Sequence, residues 1–272
     1  VIFNADDFGR SSSINQAVMQ AHREGILTSA SLMVTGQAFE EAVHMARRTP
    51  TLGVGLHLTL ADGQSAGPEA VADGLAAPDG ALDASPVRAG FNYFFRRGLR
   101  PGLRREIAAQ VERFRSTGLP LDHINGHLNI HLHPVVFDLL MELHPLWKGA
   151  GFRLTHDPFR LNARVARGRW AYRVTHAVVF SLLAGRARPR LDALGVPHTG
   201  AVFGLLQYPA VDEDYLLALL PRLPEGDSEI YSHPSLDDFR HEHAALVSPR
   251  VKALLDRLGF QRLRYSDLTR AG

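Results

Sequence analysis

Short apolar runs alternate with segments of helical period along the chain. Residues 1–4, 30–34 and 52–58 read as strands, with helices over 12–24 and 38–48 between them. Serines at 11–13 can cap the first helix and Gly25 can stop it, and the second ends before Pro50. Residues 61–90, rich in Gly, Ala, Asp and Pro, predict a long loop of the kind that forms lids and binding loops. Beyond it, helices over 103–117, 135–146, 161–184, 214–220 and 248–258 alternate with strands over 121–125, 152–155, 202–206, 229–232 and 261–265. Seven or eight βα units without a linker predict an α/β chain of parallel strands covered by helices. The expected fold is a distorted (β/α) TIM-like barrel in a single domain over 1–272, with a long loop at 61–102 and an Arg-rich helical segment at 159–190.

Composition narrows the chemistry. Cysteine is absent, which excludes disulfides, iron–sulfur clusters, thiolate zinc sites and a thiol nucleophile. Any metal must be held by imidazole, carboxylate or amide groups. A net charge of +2 carries no nucleic-acid signature. No Gly-x-Gly-x-x-Gly or Walker-type loop supports nucleotide binding. No apolar run is long enough to span a bilayer and the first residues do not read as a signal peptide, so the expected location is cytoplasmic. Of the 14 histidines, five crowd into 22 residues: His123, His127, His131, His133 and His144.

Polar residues punctuate the predicted strand ends. Asp6 and Asp7 follow the first strand, His57 ends the third, His127 follows the fourth, and His233 follows a late one. In a parallel barrel these carboxyl ends meet on one face. Singly, each has an ordinary explanation, such as a helix cap or a hydrogen-bonded core histidine. Together they describe a site. Adjacent aspartates cannot point the same way along a strand, so one can ligate a metal while the other stays free as a general base. An Asp with two His makes a three-ligand site with open positions, the pattern of a catalytic divalent metal. His233 can serve as general acid, and the set suits attack on a carbonyl through an oxyanion. His131 and His133 would share a face with His127 if the strand continued, and one could orient a ligand from behind.

The run Asn4-Ala5-Asp6-Asp7-Phe8-Gly9, with Ile14-Asn15 after it, resembles the opening motif of the YdjC/ChbG family of carbohydrate deacetylases. Residues 25–34, 53–59, 122–134 and 229–234 match the family in order. Stretches at 117–123, 203–206 and 220–226 look most like its hopanoid biosynthesis-associated branch, HpnK. The resemblance implies a NodB/YdjC-like fold and metal-dependent hydrolysis of an N-acetyl group on an amino sugar. It implies Asp6 as base, Asp7, His57 and His127 as metal ligands, and His233 as the acid; Asn125 and His131 are the candidates, outside that carry-over, for support behind the ligands. The implied cofactor is a divalent metal, Zn²⁺ or Mg²⁺ first, with other first-row ions able to use the same groups. The implied substrate is an N-acetylglucosaminyl hopanoid lipid. The alternatives are a soluble chitooligosaccharide and a non-catalytic glycan- or lipid-binding member of the fold. The chain departs from the family pattern at Asn125-Gly126, Asn129, Thr155-His156 and Thr199-Gly200, which bears on the sugar subsites.

A lipid partner has support apart from the resemblance. Eight arginines (Arg160, Arg164, Arg167, Arg169, Arg173, Arg186, Arg188 and Arg190) bracket Trp170-Ala171-Tyr172 and the apolar stretch 177–184. That composition suits peripheral contact with an anionic surface such as the inner membrane face. Residues 91–97 offer a second apolar contact, a lid or a homodimer surface.

Overall fold

The computed structural model describes residues 1–166 and 168–268. In order, the elements are β1 (Ile2–Phe8), α1 (Ser12–Glu24), β2 (Ser29–Leu32), α2 (Phe39–Arg47), β3 (Gly53–Leu58), α3 (Glu69–Ala72), α4 (Pro86–Phe95) and α5 (Arg100–Ser116). There follow β4 (His123–Gly126), α6 (Pro134–Glu142), α7 (His144–Trp147), β5 (Gly151–Phe152), α8 (Phe159–Val165) and α9 (Trp170–Ala193). The chain then adds β6 (Ala201–Phe203), α10 (Glu213–Leu219), β7 (Ser228–Ser232), α11 (Arg240–Leu246) and α12 (Pro249–Leu258). Seven strands form one sheet in the order β5-β4-β3-β2-β1-β7-β6, every adjacent pair parallel. No ladder joins β5 to β6 among the described residues, so the barrel is a curled half-barrel and not a closed one.

β1 is central and buried at all seven positions, as a parallel strand covered on both faces must be. Phe3 and Ala5 join the main apolar cluster with Val18 and Ala21 of α1. α1 occupies the span its caps predict: Ser11 Oγ accepts from the Ile14 amide, and Gly25 ends it. The expected strand over 261–265 is replaced by an irregular segment. It touches β1 through Leu263 N to Val1 O at 2.9 Å, and Tyr265 plugs the amino end of the half-barrel. The Tyr265 ring stacks on His123 at 4.7 Å between centroids and leaves no room for a side chain at Gly151. Residues 61–102 are not a bare loop: they contain α3, α4 and the start of α5. Tyr93 of α4 anchors the segment by donating to the Leu60 carbonyl.

Candidate active site

The inner face of the sheet is polar. Asn4 Nδ2 donates to Asp6 Oδ1 at 2.9 Å and to Ser31 Oγ at 2.8 Å, and Asn125 Nδ2 donates to Ser31 Oγ at 2.7 Å. His123 reaches the same Ser31 hydroxyl at 3.0 Å, and its other ring nitrogen lies 3.0 Å from Asp122. Gly55 makes room for it, since a Cβ there would come within 2.5 Å of the His123 ring. This lattice of buried hydrogen bonds forms the floor beneath the strand ends.

The two aspartates reach one cleft by breaking the strand. Asp7 has φ of +65°, and the β1–β2 register shifts between Ala5 and Phe8. This bulge re-aims Asp7 so that it and Asp6 both line the cleft, which a regular strand could not do. Asn15 steadies the turn by accepting from the Gly9 amide at 2.8 Å and donating to the Ala38 carbonyl. Gly9 itself sits at φ +90°, where a side chain would press on Leu32 and the Met33 carbonyl.

Asp7, His57 and His127 come together from β1, β3 and the turn after β4, with one ligand-type atom of each within 4.8 Å of the others. Asp7 Oδ1 lies 3.3 Å from His57 Nε2 and 3.0 Å from His127 Nδ1. Both Asp7 Oδ1 and His57 Nε2 are buried without a hydrogen-bond partner of acceptable geometry. Buried polar atoms are rarely left so, and three converging donors of this chemistry fit a divalent cation. Burial opposes ionisation of Asp7, yet the two imidazoles hold its carboxyl well below the usual range. Arg10 takes the other oxygen, Oδ2, at 3.1 Å.

The two residues expected behind the ligands occupy different places. Asn125 Oδ1 bonds His57 Nδ1 at 2.7 Å, which directs Nε2 toward Asp7. His131 does not touch a ligand. The strand stops at Gly126 and a tight turn follows, with Leu128 and Asn129 at φ of +55° and +56°. His131 therefore points inward to the Arg153 carbonyl at 2.9 Å, and burial lowers its pKa to about 3. His133 faces α4, against the rings of Tyr93 and Phe94, and His144 packs on Trp147.

Arg153 and Glu229 are central to the site and are given no role by the sequence, although Glu229 opens the matching stretch 229–234. Arg153, fully buried, donates to both Asp6 oxygens at 2.7 and 2.8 Å and to Glu229 Oε1 at 2.7 Å. Burial alone would raise the Asp6 pKa, but the guanidinium holds it well below the carboxylate range. Tyr265 donates to the second Glu229 oxygen, so both oxygens of that buried carboxylate have hydrogen-bond partners. Their signal is a charge of each sign inside apolar strand sequence, because buried charges are kept in pairs. Thr155 Oγ1 donates to Asn129 Oδ1 at 2.7 Å.

His233 lies across the cleft. Burial lowers its pKa, but Glu242 on α11, with Oε2 3.8 Å from Nδ1, outweighs burial and raises it to about 9. Glu242 also accepts from the His233 and Val211 amides at 2.6 and 3.1 Å, which fixes the turn. The cleft encloses about 1000 Å³. Its polar end holds Asp6, Asp7, His127 and His233, and its other walls mix apolar side chains, including Leu128, Ile130, Phe180 and Leu183, with polar ones such as Arg10, Asp62, Arg169 and Asp237.

A family profile described as YdjC-like protein matches residues 1–257. The chain belongs to the YdjC-like family. Among curated relatives, a carbohydrate deacetylase of Geobacillus stearothermophilus is 29% identical over 98% of this chain and 96% of its own length. Carbohydrate deacetylases of Brevibacillus brevis and Vibrio cholerae are 39% and 35% identical, each over 53% of this chain. Those two matches span about half the length of the relatives, 54% of each. A crystal structure from Enterococcus faecalis V583, described as a cellobiose-phosphate cleavage protein, superposes with a TM-score of 0.73 at 23% identity over 97% of this chain and 96% of that one. This YdjC-like chain thus shares the family's fold across nearly its whole described length.

Proposed function

We propose that this YdjC-like protein is a metal-dependent N-deacetylase that releases acetate from an N-acetylglucosaminyl group, carried on a hopanoid-type lipid. The observation that carries the reading is the placement of Asp6 and His233 in one cleft beside the Asp7, His57 and His127 cluster. Against burial, Arg153 lowers the pKa of Asp6 and Glu242 raises that of His233 to about 9, the directions that a base and an acid for amide hydrolysis need.

Asp7, His57 and His127 would hold the divalent ion, which supplies Lewis-acid polarisation of the amide carbonyl and of the attacking water. Asp6 accepts the proton as the water oxygen bonds the carbonyl carbon. Arg153 keeps that carboxylate ionised and fixed in aim before substrate arrives. His233 delivers its proton to nitrogen as the C–N bond breaks, giving acetate and the free amine. Glu242 keeps His233 charged at neutral pH. The curated relatives named as carbohydrate deacetylases support the sugar amide as the bond attacked. The apolar part of the lining, Val87, Val179, Phe180 and Leu183, supports a hydrophobic group attached to the sugar.

The test is acetate release from an N-acetylglucosaminyl hopanoid-type lipid beside soluble di-N-acetylchitobiose, with and without chelator. Chelator-sensitive release from the lipid is the expected result. Release from the soluble sugar alone would overturn the lipid assignment and keep the chemistry. No release from either by metal-loaded protein would make the chain a binding member of the fold.

A further inference from the structure

The two helices beside the cleft mouth turn apolar side chains to solvent. On α9, Trp170, Val174, Val178 and Leu182 recur every fourth residue, so they form one stripe, about 18 Å long at the rise of an α-helix. Val178 is 56% exposed and Leu182 71%. On α4, Phe91 and Phe95 are 66% and 63% exposed, and with Phe94 they stack on one another at 4.7 and 5.0 Å between centroids. Both helices pack against the turn His127–Leu132, so they flank the segment that carries His127. Val87 of α4 and Val179 of α9 are exposed and also line the cleft, which makes each apolar face continuous with the interior. Nothing in the core requires these residues outside.

Charge says what covers them. Residues 84–105 contain six arginines and no Asp or Glu, and residues 158–191 contain eight arginines and no Asp or Glu. Arg96 and Arg97, directly after the phenylalanines, are exposed and make no ion pair among the described residues. Not all of the arginines are unpaired: Arg88, Arg100 and Arg105 pair with Asp83, Glu142 and Asp73, Arg186 and Arg190 pair with Asp138, Arg173 is buried on Asn162, and Arg167 lies outside the described residues. Two copies meeting through these faces would bring like charges together. An anionic lipid surface supplies an apolar interior and a negative headgroup layer at once. No described helix is long and apolar enough to cross a membrane, so contact would be from one side.

We propose that the α9 stripe and the α4 phenylalanine cluster dock the protein on an anionic bilayer, with the cleft mouth between them facing the lipid. This deepens the proposed lipid substrate, but binding to vesicles needs no turnover and is measured separately from it. The probe is phosphatidylcholine vesicles with and without phosphatidylglycerol, read by co-flotation and by tryptophan emission. The chain has two tryptophans, and Trp147 is buried at 1% exposure, so an emission shift reports Trp170.

The expected result is binding that needs the anionic lipid, with a blue shift of emission. Leu182→Glu combined with Phe91→Glu should weaken binding roughly tenfold or more at unchanged melting temperature, because both side chains are exposed. Arg97→Gln should weaken it about fivefold. Equal binding to neutral vesicles, or no binding, would overturn the proposal. So would a concentration-dependent dimer abolished by Leu182→Glu in protein that ignores vesicles, since that assigns the face to a second copy.

Discussion

Arg153 grips Asp6 through two parallel hydrogen bonds, at 2.7 and 2.8 Å, with both side chains buried beneath the cleft. The pair is the strongest electrostatic constraint on the proposed base. Its cost is that a carboxylate held this far down is a weak base. Glu229 shares the same guanidinium, which moderates its pull on Asp6.

Arg153→Gln should therefore act twice. It strands two buried carboxylates and should cost about 3–5 kcal/mol of stability, the usual loss when one partner of a buried pair is removed. It should also let the Asp6 pKa rise. Because the folded value lies below the unfolded one, Asp6 contributes stability above the ordinary carboxylate range, lost as pH falls through the folded value. Denaturant melts from neutral to acid pH should show the variant losing part of that dependence. The acid limb of its pH–rate profile should move upward, and an unmoved limb would exclude Arg153 from tuning the base.

Asp6→Asn and His57→Ala separate base from ligand. Asp6→Asn leaves the Asp7, His57 and His127 cluster intact, so metal content by elemental analysis should match wild type while turnover falls about 10²–10⁴-fold. His57→Ala should lose both. Full single-turnover activity in Asp6→Asn would remove it from the role of base.

His233 sets the alkaline side. Its pKa is raised to about 9, so the stability it contributes is complete below the ordinary histidine value of about 6.5 and is lost as pH rises through about 9. The alkaline limb of kcat/KM should fall near that same pH in the wild type. Glu242→Gln removes the charge that opposes burial and should bring the limb down by roughly one unit or more. A limb that stays in place would mean that another group supplies the proton.

Much of this was legible from residue pattern. Helix α1 lies where Ser11 and Gly25 place it, and Asp7, His57 and His127 converge because parallel strands bring their carboxyl ends together. Other features depended on contacts distant in sequence. The strand expected over 152–155 is present as β5 at Gly151–Phe152, but the partners of Arg153, Asp6 and Glu229, lie 147 and 76 residues away, so the pattern gives Arg153 no role. Tyr265 was placed in an eighth strand because apolar spacing cannot distinguish a ladder from a plug made by one ring. Asp7 reached the cleft through a positive φ and a bulge, and nothing in the pair of adjacent aspartates announces that turn.

Asn125 tests the proposed metal site through metal binding and not turnover, because it touches the ligand His57 and its amide also donates to Asp6 Oδ1 at 3.3 Å. Its carbonyl oxygen holds His57 Nδ1 at 2.7 Å, and its amide is held in turn by Ser31 at 2.7 Å. The bond selects the tautomer with hydrogen on Nδ1 and leaves Nε2 free to face Asp7. Asn125→Ala should weaken zinc binding roughly 10–100-fold by isothermal titration, the usual effect of losing such a support. Asn125→Asp keeps the acceptor for His57 but sets a second carboxylate beside Asp6, and should bind zinc more tightly than Asn125→Ala. If Ala and Asp weakened binding equally, the effect would be one of packing at the floor of the site. If neither changed it, His57 would not be a ligand through Nε2, and the three-residue site would have to be redrawn.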